Sequence, residues 1–200
     1  MIIYMSDIIV FTSRALCCDN FLSRIEQIAR QRPKGIVLRE KDLTEAEYHI
    51  LAADVLEICR RYETECILHS FADVAVNLRC RALHMPLHSL RSMTRAERTR
   101  FKVLGASCHS QAEAAEAEKL GCTYITAGHI FDTDCKRGLP GRGIEFLHSM
   151  CESTLIPVYA IGGISAGNIA DVRGAGAAGA CVMSGAMTCP DIENYLGDLK

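Results

Sequence analysis

The chain has 200 residues, 49% of them hydrophobic, with 22 Lys and Arg set against 24 Asp and Glu. That length suits one domain with a substantial core, expected to span 1–200. The apolar content excludes a disordered chain, the balanced charge offers no surface for nucleic acid, and no run of about 18 apolar residues offers a membrane span.

The N-terminal stretch "MIIYMSDIIVFTSR" is broken by Asp7 and carries no basic leader. It reads as a strand rather than a signal peptide, so a cytoplasmic protein is expected. The eleven cysteines are scattered, and several sit in apolar runs, as at Cys59, Cys66, Cys80 and Cys181. No C-x-x-C pair suggests zinc, and reduced thiols acting as small hydrophobes are expected.

Along the chain, short apolar runs alternate with segments of helical period. The runs are 8–12, 35–39, 66–69, 82–85, 102–106, 124–128, 157–161 and 179–183. The spacing predicts helices over 21–30 and 44–62. In the second, Ile50, Leu51, Val55, Ile58 and Cys59 are assigned to one face, and Thr44 and Glu47 are spaced as a capping box. Further helices are predicted over 110–120, 143–151, 166–175 and 190–199, with weaker, shorter segments at 71–78 and 94–100. Near-continuous apolar strands are the mark of a parallel sheet buried on both faces. Their alternation with helices means α/β, and eight units at about 25 residues each fit a compact (β/α)₈ TIM barrel. The rival is an open doubly wound sheet. It is weakened because no G-x-G-x-x-G follows the first strand.

Barrels of this kind place their chemistry at the C-terminal ends of the strands. Reading those ends in order gives Arg39 and Lys41, then His69 and Ser70, Met85 and His88, Ser107 and His109, and His129 with a long loop. The last two strands end in "AIGGIS" and "VMSGAM", containing Gly162, Gly163, Ser184 and Gly185. Bare backbone there, with helix N-termini expected near Ser165 and Ser184, suits a phosphate. Taken singly, the glycines could do no more than make tight turns. His129 stands beside the polar, glycine-rich loop 130–142, where an imidazole could exchange protons near neutral pH or simply pack. Lys136 reads equally as a ligand contact or a solvated charge. Arg39 and Lys41 could meet an anion or form an ordinary basic turn.

The segments "GHIFDTDCKRGLPGRG", "IPVYAIGGISAGNI" and "AAGACVMSGAM" resemble the thiamine phosphate synthase/TenI superfamily, most closely its thiazole tautomerases. The resemblance runs from "VLREKDLT" to the C-terminus. It implies a (β/α)₈ barrel and a thiazole phosphate as the small-molecule partner. It places phosphate at Gly162, Gly163, Ser184 and Gly185, and substrate contacts at Arg39, Lys41, Ser107, His109, Thr133 and Lys136. For a tautomerase it implies that His129 shuttles a proton while a carboxythiazole phosphate aromatises, with no metal or cofactor. Assembly as a homo-oligomer is left open. The synthase branch instead joins the thiazole phosphate to a pyrimidine diphosphate with Mg²⁺. It carries an Asn-Asp pair after the third strand and an acid after the fourth, where this chain has His69-Ser70 and "MPLHSL". The chain also departs from the tautomerases, with Ala106 replacing an arginine and His69 an asparagine. The expected order is therefore tautomerase, then divergent synthase, then a barrel that binds thiazole or thiamine phosphates without turnover.

Overall fold

The computed structural model describes residues 7–136 and 138–200, with the backbone but not the side chain of Cys135. The first six residues, joined to the first strand in the sequence reading, lie outside it. In chain order the elements are β1 (Ile8–Phe11), α1 (Phe21–Arg30), β2 (Gly35–Leu38), α2 (Glu45–Arg61), β3 (Cys66–His69), α3 (Ala72–Asn77), β4 (Ala82–Pro86), α4 (Leu87–Ser92), α5 (Arg95–Arg98), β5 (Val103–Cys108), α6 (Gln111–Lys119), β6 (Tyr124–Gly128), α7 (Gly143–Glu152), β7 (Val158–Ile161), α8 (Ile169–Gly174), β8 (Gly179–Val182), α9 (Ser184–Thr188) and α10 (Ile192–Gly197). Single 3₁₀ turns lie at Arg14–Leu16 and Asp134–Lys136. The strands follow one another from β1 to β8 in a closed barrel, the (β/α)₈ fold expected from the alternation. No helix among the described residues is long and apolar enough to cross a membrane.

By its contacts the chain divides into two units, Met1–Leu83 with Val182–Lys200, and His84–Cys181. In the first, β1 and β2 pair in parallel with Val10 beside Ile36, and β2 pairs with β3 with Val37 beside Ile67. All three strands are buried along their whole length. The Thr44 capping box is present. The Thr44 hydroxyl accepts from the Glu47 N–H, and the Glu47 carboxylate accepts from the Thr44 N–H. The buried face of α2 includes Val55 and Cys59, as expected, with Leu51 and Ile58 half-buried, but Tyr48 and Ala52 are also inside and Ile50 is 68% exposed. The face is set by Tyr48, whose phenol O–H donates to the Leu38 carbonyl (2.6 Å) and accepts from the His69 N–H (2.9 Å). A buried hydroxyl that satisfies two strand ends fixes the helix rotation, and Ile50 falls on the far side.

In the second unit β5, β6, β7 and β8 pair in parallel, with Ser107 beside Thr126, Thr126 beside Tyr159 and Tyr159 beside Gly179. Two helices differ from expectation. The segment after β4 turns helical at once, because Pro86 stands at the N-cap of α4, where its fixed φ is tolerated. The helix expected from 166 begins only at Ile169. The Asn168 side chain occupies the preceding turn by accepting from the Ser165 N–H (2.8 Å) and donating to the Gly163 carbonyl (2.9 Å). In the first unit α9 starts at Ser184, and α10 lies within the helix expected over 190–199.

The cysteines behave as small apolar residues. Cys59, Cys66, Cys108, Cys122 and Cys181 are buried, Cys80 is half-buried, and Cys18 is exposed. Burial pushes the Cys108 and Cys122 thiols up to about 12, and the Cys181 thiol higher still. Thiol titration of the native protein should therefore modify Cys18 and leave Cys59, Cys108, Cys122 and Cys181 unmodified until denaturant is added, as peptide mapping would show. Thr44→Ala should cost about 1 kcal/mol in denaturant unfolding, whereas Ile50→Gln should stay within about 0.5 kcal/mol of the parent.

Candidate functional site

In the first unit the strand ends carry a tight polar cluster. The Thr12 hydroxyl donates to Glu40 (2.6 Å), the Arg14 N–H donates to the other Glu40 oxygen (3.0 Å), and the Arg39 N–H donates to the Thr12 hydroxyl (2.9 Å). Glu40 is only 4% exposed, so the acid at the centre of "REK" is the buried member of the trio. Arg39 is half-buried and Lys41 exposed. At the end of β3, Ser70 takes a positive φ of 68° and its hydroxyl lies 2.7 Å from His69 Nδ1. Burial, reinforced by the charges of Arg39 and Lys41, depresses the His69 pKa to about 3. Ser184 is exposed at the start of α9. Gly185 is packed so closely under the Tyr195 ring that a Cβ would collide with it.

In the second unit the loop after β6 is held rather than loose. The Ile130 N–H donates to the Ile161 carbonyl and the Phe131 N–H to the Gly162 carbonyl, both at 3.0 Å. The Asp132 carboxylate accepts from the Gly141 N–H at 2.7 Å. The glycines serve close approach: a Cβ on Gly163 would lie 2.7 Å from Phe131 Cβ, and one on Gly162 would collide with His129. Both take positive φ, 101° at Gly162 and 67° at Gly163.

The half-buried His129 lies with Nε2 3.2 Å from the Leu139 carbonyl. A carbonyl can only accept, so Nε2 carries the proton and Nδ1 is the accepting nitrogen of the neutral ring. The same reasoning puts the proton of His109 on Nδ1, which is 3.1 Å from the Gly128 carbonyl. His109 and His129 are thus brought to the same peptide, while Arg142 crosses to the His109 carbonyl. Thr133 and Lys136 share a cleft with Leu139, whose carbonyl His129 faces. They line an open cleft of about 480 Å³ with Asp132, Asp134, Gly138, Leu139 and Pro140. His88 is exposed, and Met85 and Ala106 are buried. Ser107 is half-buried and lies 2.9 Å from His84 Nε2; the opposite ring nitrogen is 2.9 Å from the Tyr124 hydroxyl.

Glu40 and His84 were not singled out by sequence reading. Glu40 was hidden between two cations. His84 lies inside a strand, where only its polar character in an apolar run could have marked it.

A family model for thiamine monophosphate synthase matches residues 8–186. The chain is 34% identical over 180 residues to thiamine-phosphate synthase 2 of Streptococcus pneumoniae, covering 88% of this chain and 84% of that one. It is 30% identical over 197 residues to thiamine-phosphate synthase of Fusobacterium nucleatum, covering 94% of each. Among solved structures, thiamine phosphate pyrophosphorylase from Pyrococcus furiosus superposes with a TM-score of 0.81 at 27% identity, covering 96% of this chain and 92% of that one. The family model and these relatives place the chain among the (β/α)₈ proteins of thiamine biosynthesis. It belongs to the thiamine monophosphate synthase family.

His69 gives a pH test. Its folded pKa of about 3 lies below the ordinary 6.5, so the unfolded chain binds the proton more readily. The stability it contributes is complete above about pH 6.5 and is lost as pH falls toward 3. His69→Gln should flatten the acid limb of a stability profile there, removing a slope of up to about 1.4 kcal/mol per pH unit.

Proposed function

We propose that this chain is a divergent thiamine-phosphate synthase, a transferase that joins the nitrogen of a thiazole phosphate to the methylene carbon of a pyrimidine diphosphate as that carbon's bond to oxygen breaks and diphosphate leaves. The observation that carries the reading is the family match from β1 into α9, with relatives of that name aligned over most of their length. This reverses the order expected from the motifs alone, in which the isomerase came first. Phosphate is assigned to Gly162, Gly163, Ser184 and Gly185. The remaining substrate contacts are assigned to Arg39, Lys41, Ser107, His109, Thr133 and Lys136.

The Mg²⁺ implied by the synthase branch does not fit these residues. Mg²⁺ prefers carboxylate oxygens. The end of β3 offers an imidazole bonded to a hydroxyl, and β4 ends in Met85 and Pro86. The buried carboxylate of Glu40 is already held by Thr12 and Arg14. Among the described residues no group of three His, Cys, Asp or Glu stands close enough to hold a metal ion. No step is therefore routed through a metal.

A second reading, thiazole tautomerase, is favoured by His129. With Nε2 committed to the Leu139 carbonyl, the proton would be taken up at Nδ1 and returned from it. Both readings use the thiazole phosphate and differ in what meets it.

One experiment separates them. The purified protein is given thiazole phosphate with pyrimidine diphosphate, and separately the carboxythiazole phosphate in deuterated water. Thiamine phosphate formation supports the transferase, and the metal misfit predicts a slow rate that is the same in Mg²⁺ and in EDTA. Deuterium exchange without transfer supports the isomerase. Under that outcome His129→Asn should lower the exchange rate about 10²- to 10⁴-fold with little change in affinity. Binding without either reaction would leave the barrel as a phosphate-binding regulator.

A further inference from the structure

Inside the second unit a chain of polar groups, most of them buried, leads to Ser107. Tyr124 and His84 are 5% and 0% exposed. The Tyr124 hydroxyl lies 2.9 Å from His84 Nδ1, and His84 Nε2 lies 2.9 Å from Ser107 Oγ. The Thr126 hydroxyl also donates to Ser107 Oγ, at 3.4 Å. The Tyr124 ring is clamped. It packs edge-on against Tyr159, and Gly105 has no side chain because the phenol occupies that space.

In a neutral imidazole one nitrogen donates and the other accepts, so the chain can run in two directions. If Nδ1 carried the proton, the Ser107 hydroxyl would have to donate back into Nε2. If Nε2 carries it, the phenol donates to Nδ1, and Ser107 Oγ receives both the imidazole N–H and the Thr126 O–H. A phenol is a stronger donor than acceptor because its oxygen lone pair is delocalised into the ring. That favours the second direction, and so does the Thr126 contact. In that direction the serine oxygen accepts from the imidazole, and from Thr126 at a longer 3.4 Å, which leaves its own proton to be donated. Ser107 is the half-buried member of the four, while His84, Tyr124 and Thr126 are closed off.

We infer that His84 is a positioning residue, held by Tyr124 as the Nε2–H tautomer, which fixes Ser107 as a hydrogen-bond donor to an acceptor oxygen of the bound substrate. The inference rests on the reading that Ser107 faces substrate. It restricts that substrate group to one that accepts from the serine, such as a phosphate, diphosphate or carboxylate oxygen.

The tautomer is read by long-range proton–nitrogen NMR on the full chain labelled in histidine, with His84 assigned by comparison with His84→Gln. The expected pattern is a protonated Nε2 and an unprotonated Nδ1, the latter shifting in Tyr124→Phe. A protonated Nδ1 overturns the inference whatever the protein binds. The donor role is read by calorimetry with thiazole phosphate and, separately, inorganic pyrophosphate. Ser107→Ala should weaken the ligand it contacts about 10-fold or more, and Tyr124→Phe should weaken the same ligand by a smaller factor. Tyr124→Phe should add little on top of Ser107→Ala, because the phenol acts only through the serine. Unchanged affinity in Ser107→Ala, with the parent binding normally, overturns the donor assignment and leaves the family function standing. If the parent binds neither ligand, the functional reading fails, and the tautomer is judged by the NMR result alone.

Discussion

A parallel sheet covered on both sides leaves no wet face, and that constraint governs most of this molecule. The strands are only four to six residues long and are buried almost throughout. Any polar side chain on them must find its partner inside the protein. Thr12 finds Glu40, the His69 backbone finds Tyr48, and His84 finds Tyr124 and Ser107. Each pairing joins positions far apart in sequence. The polar groups therefore specify how neighbouring strands and helices meet, while the apolar residues supply the burial that holds them together.

The same constraint accounts for the placement of chemistry. Polar side chains reach solvent only where a strand runs out, so most of the candidate side chains gather at C-terminal ends and in the turns that follow. Glycine appears there for two distinct reasons. At Gly105 it makes room for a phenol within the strand layer, and at Gly162 and Gly163 it lets the loop after β6 lie against the turn after β7. The start of that loop, at Ile130 and Phe131, is consequently braced by backbone hydrogen bonds to its neighbour. His129 inherits a fixed orientation from that bracing.

The strands were legible in the sequence because a doubly buried strand is an uninterrupted apolar run, and their bounds moved by one or two residues at most. The capping box at Thr44 was equally plain. The helix faces were less so. Ile50 was assigned inward on hydropathy, yet the rotation of α2 is set by the hydroxyl of Tyr48, and periodicity does not weigh a hydrogen bond made across an interface. The short α4 escaped notice because six residues carry less than two turns of pattern. At the candidate site, His129 and the glycine turns could be read from their positions after strands. The Thr12–Glu40 and His84–Tyr124 pairs could not, since each joins residues 28 or 40 positions apart. The motif alone ranked an isomerase first, whereas the named relatives weigh toward a transferase.

The contact between Gly162 and His129 has a bearing on how this family can diversify. A side chain at Gly162 would occupy the volume in which the histidine's own Cβ sits. The bare backbone at Gly162 and the placement of the imidazole are thus tied to a single locus. Natural drift cannot add a side chain at Gly162 without dislodging His129.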